Sequence, residues 1–149
     1  MIIVKNNQPQ IEFLQDVRQE HDYLFELKNL ILEFLIREKQ LAYVESQKIE
    51  FVPISGLAQT HHENLGAYLN DFLFRDLPNA FARVACGKFA DFPLTHYWLR
   101  VNDLLVDLSI KQFANKPIPT FRAYGPLLEN HIFISDNANN PIYKMYNEI

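Results

Sequence analysis

The sequence is poor in the features that mark several protein classes. Its single cysteine, Cys86, excludes a disulfide within the chain, and no paired cysteine spacing suggests a zinc site. No stretch approaches roughly 18 uninterrupted apolar residues, and no basic segment with a long apolar run opens the chain, so we expect a soluble protein without a membrane partner. The 14 lysines and arginines are scattered among 18 acidic residues, and the net charge of −4 argues against nucleic acid as a partner.

The sequence does contain enough apolar material for a core. Hydrophobic residues make up 48% of the chain and charged residues 21%, a balance typical of a globular protein. A length of 149 residues lies in the range of one domain, so we treat residues 1–149 as a single unit.

Helix-forming residues dominate the first half of the chain. Residues 9–40 contain no glycine and carry apolar residues at helical spacing, which predicts one or two helices. Residues 48–54 alternate well enough to predict a short strand that Pro53 terminates. A second helical pattern, with its apolar residues on one face, predicts a central helix over about 58–77 that ends before Pro78.

Beyond residue 82 the hydrophobic period changes to two. Residues 82–89, 95–101 and 104–110 each predict a strand, and Asn102-Asp103 predicts a two-residue hairpin turn between the last two. From residue 115 onward, four prolines and one apolar run starting at His131 predict a loop-rich tail with one further strand. Helices followed by strands indicate an α+β fold with an antiparallel sheet over about 82–135.

The predicted hairpin brings a histidine close to an aspartate. With the turn at residues 102–103, His96 faces Ser109 and Asp107 faces Trp98, and all four side chains share one face of the sheet. His96 and Asp107 are then diagonal neighbours, close enough for the carboxylate to accept a ring N–H. Such a pair is more often a buried histidine satisfied by a carboxylate, but it is also the orienting half of a catalytic triad.

The sequence around this pair resembles a known family. Residues 96–113 read HYWLRVNDLLVDLSIKQF, which is similar to the His-to-Asp hairpin of bacterial papain-like and transglutaminase-like cysteine enzymes. In those families a histidine is followed by a tryptophan, a short turn, an apolar run into aspartate, a serine or threonine, and Gln-Phe. Residues 82–89, ARVACGKF, resemble the strand that precedes this histidine. The resemblance implies a papain-like fold, with N-terminal helices and a central helix packed on an antiparallel sheet.

The family's nucleophile is missing from its expected position. In such enzymes the catalytic cysteine begins the central helix, where unpaired N–H groups stabilise a thiolate. The resemblance puts this position at Ala58, or one residue earlier at Leu57, and neither side chain can attack a carbonyl. Three explanations stay open: an engineered replacement of cysteine, a natural pseudoenzyme, or Cys86 as an alternative nucleophile. A thiol in mid-strand lacks a helix dipole, so we rank loss at Ala58 above Cys86, and we favour an engineered loss because the other family residues survive.

Other polar residues near these positions are candidates for supporting roles. Gln59 lies beside the expected nucleophile and could donate a hydrogen bond to an oxyanion. Trp98 shares the face of His96 and is either a wall of the cleft or plain core. Ser109 and Gln112 belong to the family pattern.

A metal site is not expected. His61 and His62 are adjacent near the start of the central helix, where neighbouring side chains point about 100° apart and no Asp or Cys accompanies them. We interpret them as a solvated helix end and expect no metal and no other cofactor.

The resemblance implies thiol-dependent acyl chemistry on a protein substrate, meaning peptide-bond cleavage, deamidation or acyl transfer. A cysteine at position 58 would attack a carbonyl, His96 would act as base and then acid, and Asp107 would orient His96. The resemblance further implies a bacterial effector or toxin domain, cytoplasmic or secreted without a classical signal peptide, with an immunity or inhibitor protein as a partner. The rival hypothesis is a catalytically dead papain-like fold that serves as a protein-interaction or immunity module.

Overall fold

The computed structural model describes residues 12–37, 54–113 and 131–149, with only the backbone of residues 54–57. Within these ranges the fold is α+β, with two α-helices and a six-stranded mixed sheet. No helix of the described part is long and apolar enough to cross a membrane. In chain order the elements are β1 (Glu12–Asp16), α1 (Leu24–Arg37), α2 (Ile54–Phe72), β2 (Ala82–Phe89), β3 (His96–Val101), β4 (Leu104–Asp107), a 3-10 turn (Ile110–Phe113), β5 (His131–Ser135), a second 3-10 turn (Tyr143–Met145) and β6 (Tyr146–Glu148).

The strands lie in the order β1-β5-β4-β3-β2-β6. Neighbouring strands pair antiparallel throughout, except that β1 and β5 pair parallel. The prediction of an antiparallel sheet over 82–135 was therefore wrong in two respects. The sheet is mixed, and it extends beyond that range at both edges, to β1 on one side and to β6 on the other.

The first strand corrects the prediction that residues 9–40 are helical. Residues 12–16 form β1, and the helix begins only at Leu24. Phe13 packs against the core on one side of the sheet and Leu14 against the core on the other, so both faces of this short strand are covered. A five-residue segment with apolar residues on both faces has no clear period of its own. Its pairing with β5 decides its conformation.

The sheet separates two clusters of buried side chains, and each covers one face. On the helix face, α1 and α2 pack against Leu99, Val106 and Ile134 among others. On the opposite face, which we call the aromatic face, Phe89, Trp98, Phe113, Phe133 and Tyr146 form a second cluster. The side chains that alternate along β3 therefore belong to two different cores. The α1 residues buried on the helix face are Leu27, Ile31, Phe34 and Leu35.

Helix α2 spans Ile54–Phe72, so it begins and ends earlier than the predicted 58–77. Its buried apolar side chains include Leu65 and Leu69. The N–H groups of Leu73 and Phe74 both donate to the carbonyl of Leu69, which closes the helix there. The predicted strand at 48–54 lies outside the described residues apart from Ile54, which is helical. Residues 115–130 of the predicted tail also lie outside the described residues. The predicted strand at His131 is present as β5.

The hairpin register was predicted correctly. Strands β3 and β4 pair Leu99 with Val106 and Val101 with Leu104, so residues 102–103 form the turn. Asn102 takes a φ of 53°, a left-handed conformation that asparagine tolerates better than most residues. Strand β4 ends at Asp107 instead of running to residue 110, because the chain turns at residues 108–109 and continues as a 3-10 turn.

Candidate functional site

A buried histidine and aspartate form the centre of the site. Nε2 of His96, at the start of β3, lies 2.7 Å from Oδ2 of Asp107, at the end of β4. The His96 side chain is 1% exposed and that of Asp107 is fully buried. The hydrogen bond predicted from the hairpin register is therefore present. Because the carboxylate accepts, Nε2 carries the ring proton and Nδ1 is the second ring nitrogen.

Asp107 accepts hydrogen bonds from three more donors. The Tyr146 hydroxyl donates to Oδ2 at 2.7 Å, and Oδ1 accepts from the Ser109 backbone N–H at 2.7 Å and the Ser109 hydroxyl at 2.9 Å. The contact to the backbone two residues later is an Asx turn, and it ends β4. Ser109 does not face His96 across the hairpin as predicted, because the ladder stops before it.

This set of donors stabilises the charged form of the carboxylate. Burial by itself raises the pKa of Asp107, but the interaction with His96 and the hydrogen bonds, including that from Tyr146, lower it to about 2. Conversely, burial next to this carboxylate raises the pKa of the Tyr146 hydroxyl well above its ordinary value, so Tyr146 stays a donor. The centre therefore holds a buried negative charge, and both carboxylate oxygens of Asp107 accept two hydrogen bonds each.

Aromatic rings enclose His96. The Phe113 ring meets it edge-on with 4.9 Å between centroids, and the Phe89 ring lies 5.6 Å away, also edge-on. Trp98 is tilted against it at 5.8 Å. Trp98 is fully buried, and its Nε1 has no hydrogen-bond partner among the described residues. It is core rather than a solvent-lined wall.

The second nitrogen of His96 faces an amide. Nε2 of Gln112 lies 3.4 Å from Nδ1 of His96 and also donates to the Ser109 carbonyl at 3.2 Å. Gln112 is almost fully buried. The 3-10 turn after β4 thus returns Gln112 and Phe113 over the histidine, and it covers the nitrogen that a catalytic base would present to a nucleophile.

His62 is a further member of the site, and its interpretation as a solvated helix end was wrong. It is fully buried, its Nε2 accepts the backbone N–H of Leu108 at 3.0 Å, and its Nδ1 donates to the Ala58 carbonyl at 2.7 Å. Nε2 also lies 3.8 Å from Oδ1 of Asp107, but it carries no proton there, so this is not an ion pair. Burial is the main cause that lowers the pKa of His62 to about 4, against the opposing effect of Asp107.

Ala58 lies one turn before His62 on α2 and is fully buried. Its carbonyl accepts a hydrogen bond from Nδ1 of His62, whose Nε2 lies 3.8 Å from Oδ1 of Asp107. Helix α2 packs on the helix face, whereas His96 belongs to the aromatic face. Gln59 does not join the centre, since its amide donates to Glu63 at 3.2 Å on the exposed side of α2. The side chain of Leu57 lies outside the described residues.

Cys86 lies on the opposite face of the sheet from His96. Strand β2 pairs Gly87 with His96 and Cys86 with Tyr97. Residues paired across antiparallel strands share a face, and consecutive residues alternate between faces. The thiol therefore cannot reach the imidazole, which removes Cys86 as a nucleophile for this histidine.

Two residues of the site were missed from the sequence for different reasons. His62 continues the apolar stripe of α2, because it precedes Leu65 and Leu69 by three and seven positions, and this spacing could have identified it as buried. Tyr146 gave no local signal, since its partner Asp107 is 39 residues away along the chain.

Within the described ranges, no group of three or more His, Cys, Asp or Glu residues could hold a metal ion.

Comparison of the chain with protein-family models, with curated proteins and with solved structures finds no match.

Proposed function

We propose that this chain has the scaffold of a papain-like or transglutaminase-like hydrolase, performs no thiol chemistry as it stands, and acts by binding another protein. The observation that carries the proposal is the state of the His96 centre. Nε2 of His96 is committed to Asp107, Nδ1 faces Gln112, and the only thiol of the chain lies on the other face of the sheet. A base without a nucleophile or solvent access cannot turn over a substrate.

The surroundings of Ala58 support the same conclusion. A catalytic cysteine needs an exposed thiolate at a helix start, within reach of its base. Ala58 is instead fully buried, and its carbonyl accepts a hydrogen bond from the imidazole of His62. A thiol at this position would be desolvated, which raises rather than lowers a cysteine pKa.

A second candidate is an acyl-transfer enzyme whose cysteine at position 58 has been replaced. The retained His96–Asp107 hydrogen bond, together with Ser109 and Gln112 beside it, favours this candidate. The two candidates differ in what a restored cysteine would do.

The test is a single-thiol variant, Ala58→Cys in a Cys86→Ser background, labelled with iodoacetamide between pH 6 and 8. We expect labelling in the folded state to be at least about tenfold slower than for the unfolded chain, and to be unchanged by His96→Ala. Cys86 in the unaltered chain is half-buried and serves as the reference thiol. Rapid labelling at position 58 that requires His96 would refute the proposal and establish the acyl-transfer candidate.

A further inference from the structure

Strand β6 pairs with β2 at the edge of the sheet and places Tyr146 and Glu148 on the aromatic face. We call residues 146–149 the β6 segment and the surface that they contact the groove. Its first anchor is Tyr146. The ring meets Phe89 and Trp98 edge-on, at 4.8 Å and 5.0 Å between centroids, and lies parallel to Phe133 at 5.9 Å. Its hydroxyl reaches Asp107 across the face of the sheet. This part of the groove accepts an aromatic side chain with a hydroxyl at its tip.

The second anchor is the carboxylate of Glu148. It accepts hydrogen bonds from Nε of Arg100 at 2.8 Å and from a terminal nitrogen of Arg83 at 3.1 Å. Arg100 is held in turn by the Tyr143 hydroxyl, and these side chains line an open cleft of about 580 Å³. Burial opposes ionisation of Glu148, but Arg100 and Arg83 lower its pKa overall. This part of the groove is a carboxylate clamp built by two adjacent strands.

The third anchor is the backbone of β2. Strand β6 pairs antiparallel with residues 87–89, and the N–H of Ile149 donates to the carbonyl of Cys86 at 2.9 Å. A Cβ at Gly87 would lie 2.0 Å from the carbonyl oxygen of Asn147, so only glycine lets the segment approach this closely. The edge of β2 is therefore shaped to receive an extended chain.

Only a few backbone pairs attach the β6 segment to β2. Three residues pair with β2 at the edge of the sheet, and Ile149 is 88% exposed. Short edge strands open at lower free-energy cost than central ones, and an unpaired edge readily takes up another chain. The protein's own β6 segment thus fills the groove. Any other segment that binds there competes with it at a high effective concentration, of order millimolar for a short tether.

We infer that the groove is a docking site for an extended segment of a partner protein, and that the β6 segment is its internal competitor. The segment that fits carries an aromatic residue with a hydroxyl, followed two positions later by an acidic residue, and it adds a strand to β2. The inference rests on the proposed binding function and names the surface and the partner chemistry for it.

Exchange of the segment between two copies of the chain fits less well. The amide oxygen of Asn140 accepts the N–H groups of Ile142 and Tyr143, and its carbonyl accepts the N–H of Lys144. The chain just before the β6 segment is thereby held in a tight turn and has little length with which to reach a second molecule. A separate segment needs no such reach.

Trp98 is the only tryptophan and lies fully buried under Tyr146, so its fluorescence reports whether the groove is filled. The experiment uses the full chain with Tyr146→Ala and Glu148→Ala, which weakens the internal competitor. We expect a red-shifted emission that returns toward that of the unaltered protein when a peptide with the sequence of residues 144–149 (KMYNEI) is added. The return should saturate with peptide concentration.

Matched controls separate docking from unspecific binding. A peptide with alanine in place of its glutamate should bind about tenfold more weakly, as expected for one lost charge-assisted contact. Adding Gly87→Ala to the variant should abolish the response. If the double variant does not unfold cooperatively, the milder pair Tyr146→Leu and Glu148→Gln takes its place.

The inference is overturned if millimolar peptide leaves the Trp98 emission of either folded variant unchanged. A concentration-dependent dimer of the unaltered chain that dissociates on Gly87→Ala would also overturn it, in favour of exchange between copies. A reactive, His96-dependent thiol in the Ala58→Cys variant would refute the proposed lack of catalysis and leave the peptide result as it is, so the two failures are distinguishable.

Discussion

Protonation of His62 should make the fold unstable in mild acid. In the folded chain Nε2 of His62 accepts the Leu108 N–H, so a proton on this nitrogen would face another donor and break the contact. Burial, the largest cause, lowers the pKa of His62 from 6.5 to about 4, and the nearby Asp107 carboxylate only partly opposes it. Between these two pH values the unfolded chain binds a proton that the folded chain does not, so stability falls as the pH falls.

The size of the loss follows from the two pKa values. One pKa unit corresponds to about 1.4 kcal/mol, so His62 alone should cost roughly 2 kcal/mol of unfolding free energy at pH 5 and roughly 3 kcal/mol at pH 4, relative to pH 7.5. Burial also lowers the pKa of His61, which adds a contribution of the same sign. The lowered pKa of Asp107 affects stability only below about pH 4, outside this window.

Urea unfolding followed by Trp98 fluorescence at pH 7.5, 6, 5 and 4.5 measures this loss. The variant His62→Gln, whose amide oxygen can accept the Leu108 N–H, should lose stability at pH 7.5 but should show a flatter pH dependence. The slope should persist in 0.5 M salt, because screening acts weakly on buried groups. A pH dependence that is equally steep in His62→Gln would refute the assignment to His62.

Two further substitutions test the site and the hairpin. Tyr146→Phe removes one donor from the buried Asp107 carboxylate and should lower the free energy of unfolding by about 1–3 kcal/mol, whereas Tyr97→Phe on the opposite face should change it by less than about 0.5 kcal/mol; equal effects in chemical denaturation would contradict the role of the hydroxyl. Asn102→Ala should cost about 1–2 kcal/mol more than Asn102→Gly, because both lose the bonds to Phe81 and Tyr23 but only alanine resists the left-handed backbone; thermal unfolding of the pair checks this order.

The hairpin could be predicted because local rules determine it. A two-residue turn with alternating strands on either side leaves one register, and that register puts His96 next to Asp107. Strand β1 could not be predicted in the same way. Its parallel pairing with β5 joins residues more than a hundred positions apart, and its five residues show no period that separates a strand from a helix.

The site was only half visible in the sequence for a related reason. His96, Asp107, Ser109 and Gln112 lie within one short stretch, so their spacing limits their geometry. His62 and Tyr146 come from other parts of the chain. The packing of α2 on the sheet and the pairing of β6 with β2 bring them to the same carboxylate.

The His96–Asp107 pair has a structural role that does not require catalysis. Asp107 accepts the imidazole, the Tyr146 hydroxyl and two groups of Ser109, and all of these are buried. Removing the partner of a buried charge costs about 3–5 kcal/mol, because the Asp107 carboxylate would remain in the interior without that partner and without water. Loss of either residue would therefore threaten the fold itself, so the pair is expected whether or not the chain ever had a nucleophile. The residues that resemble those of the cysteine enzymes, which in the sequence favoured an engineered loss of the nucleophile, are equally expected in a binding protein.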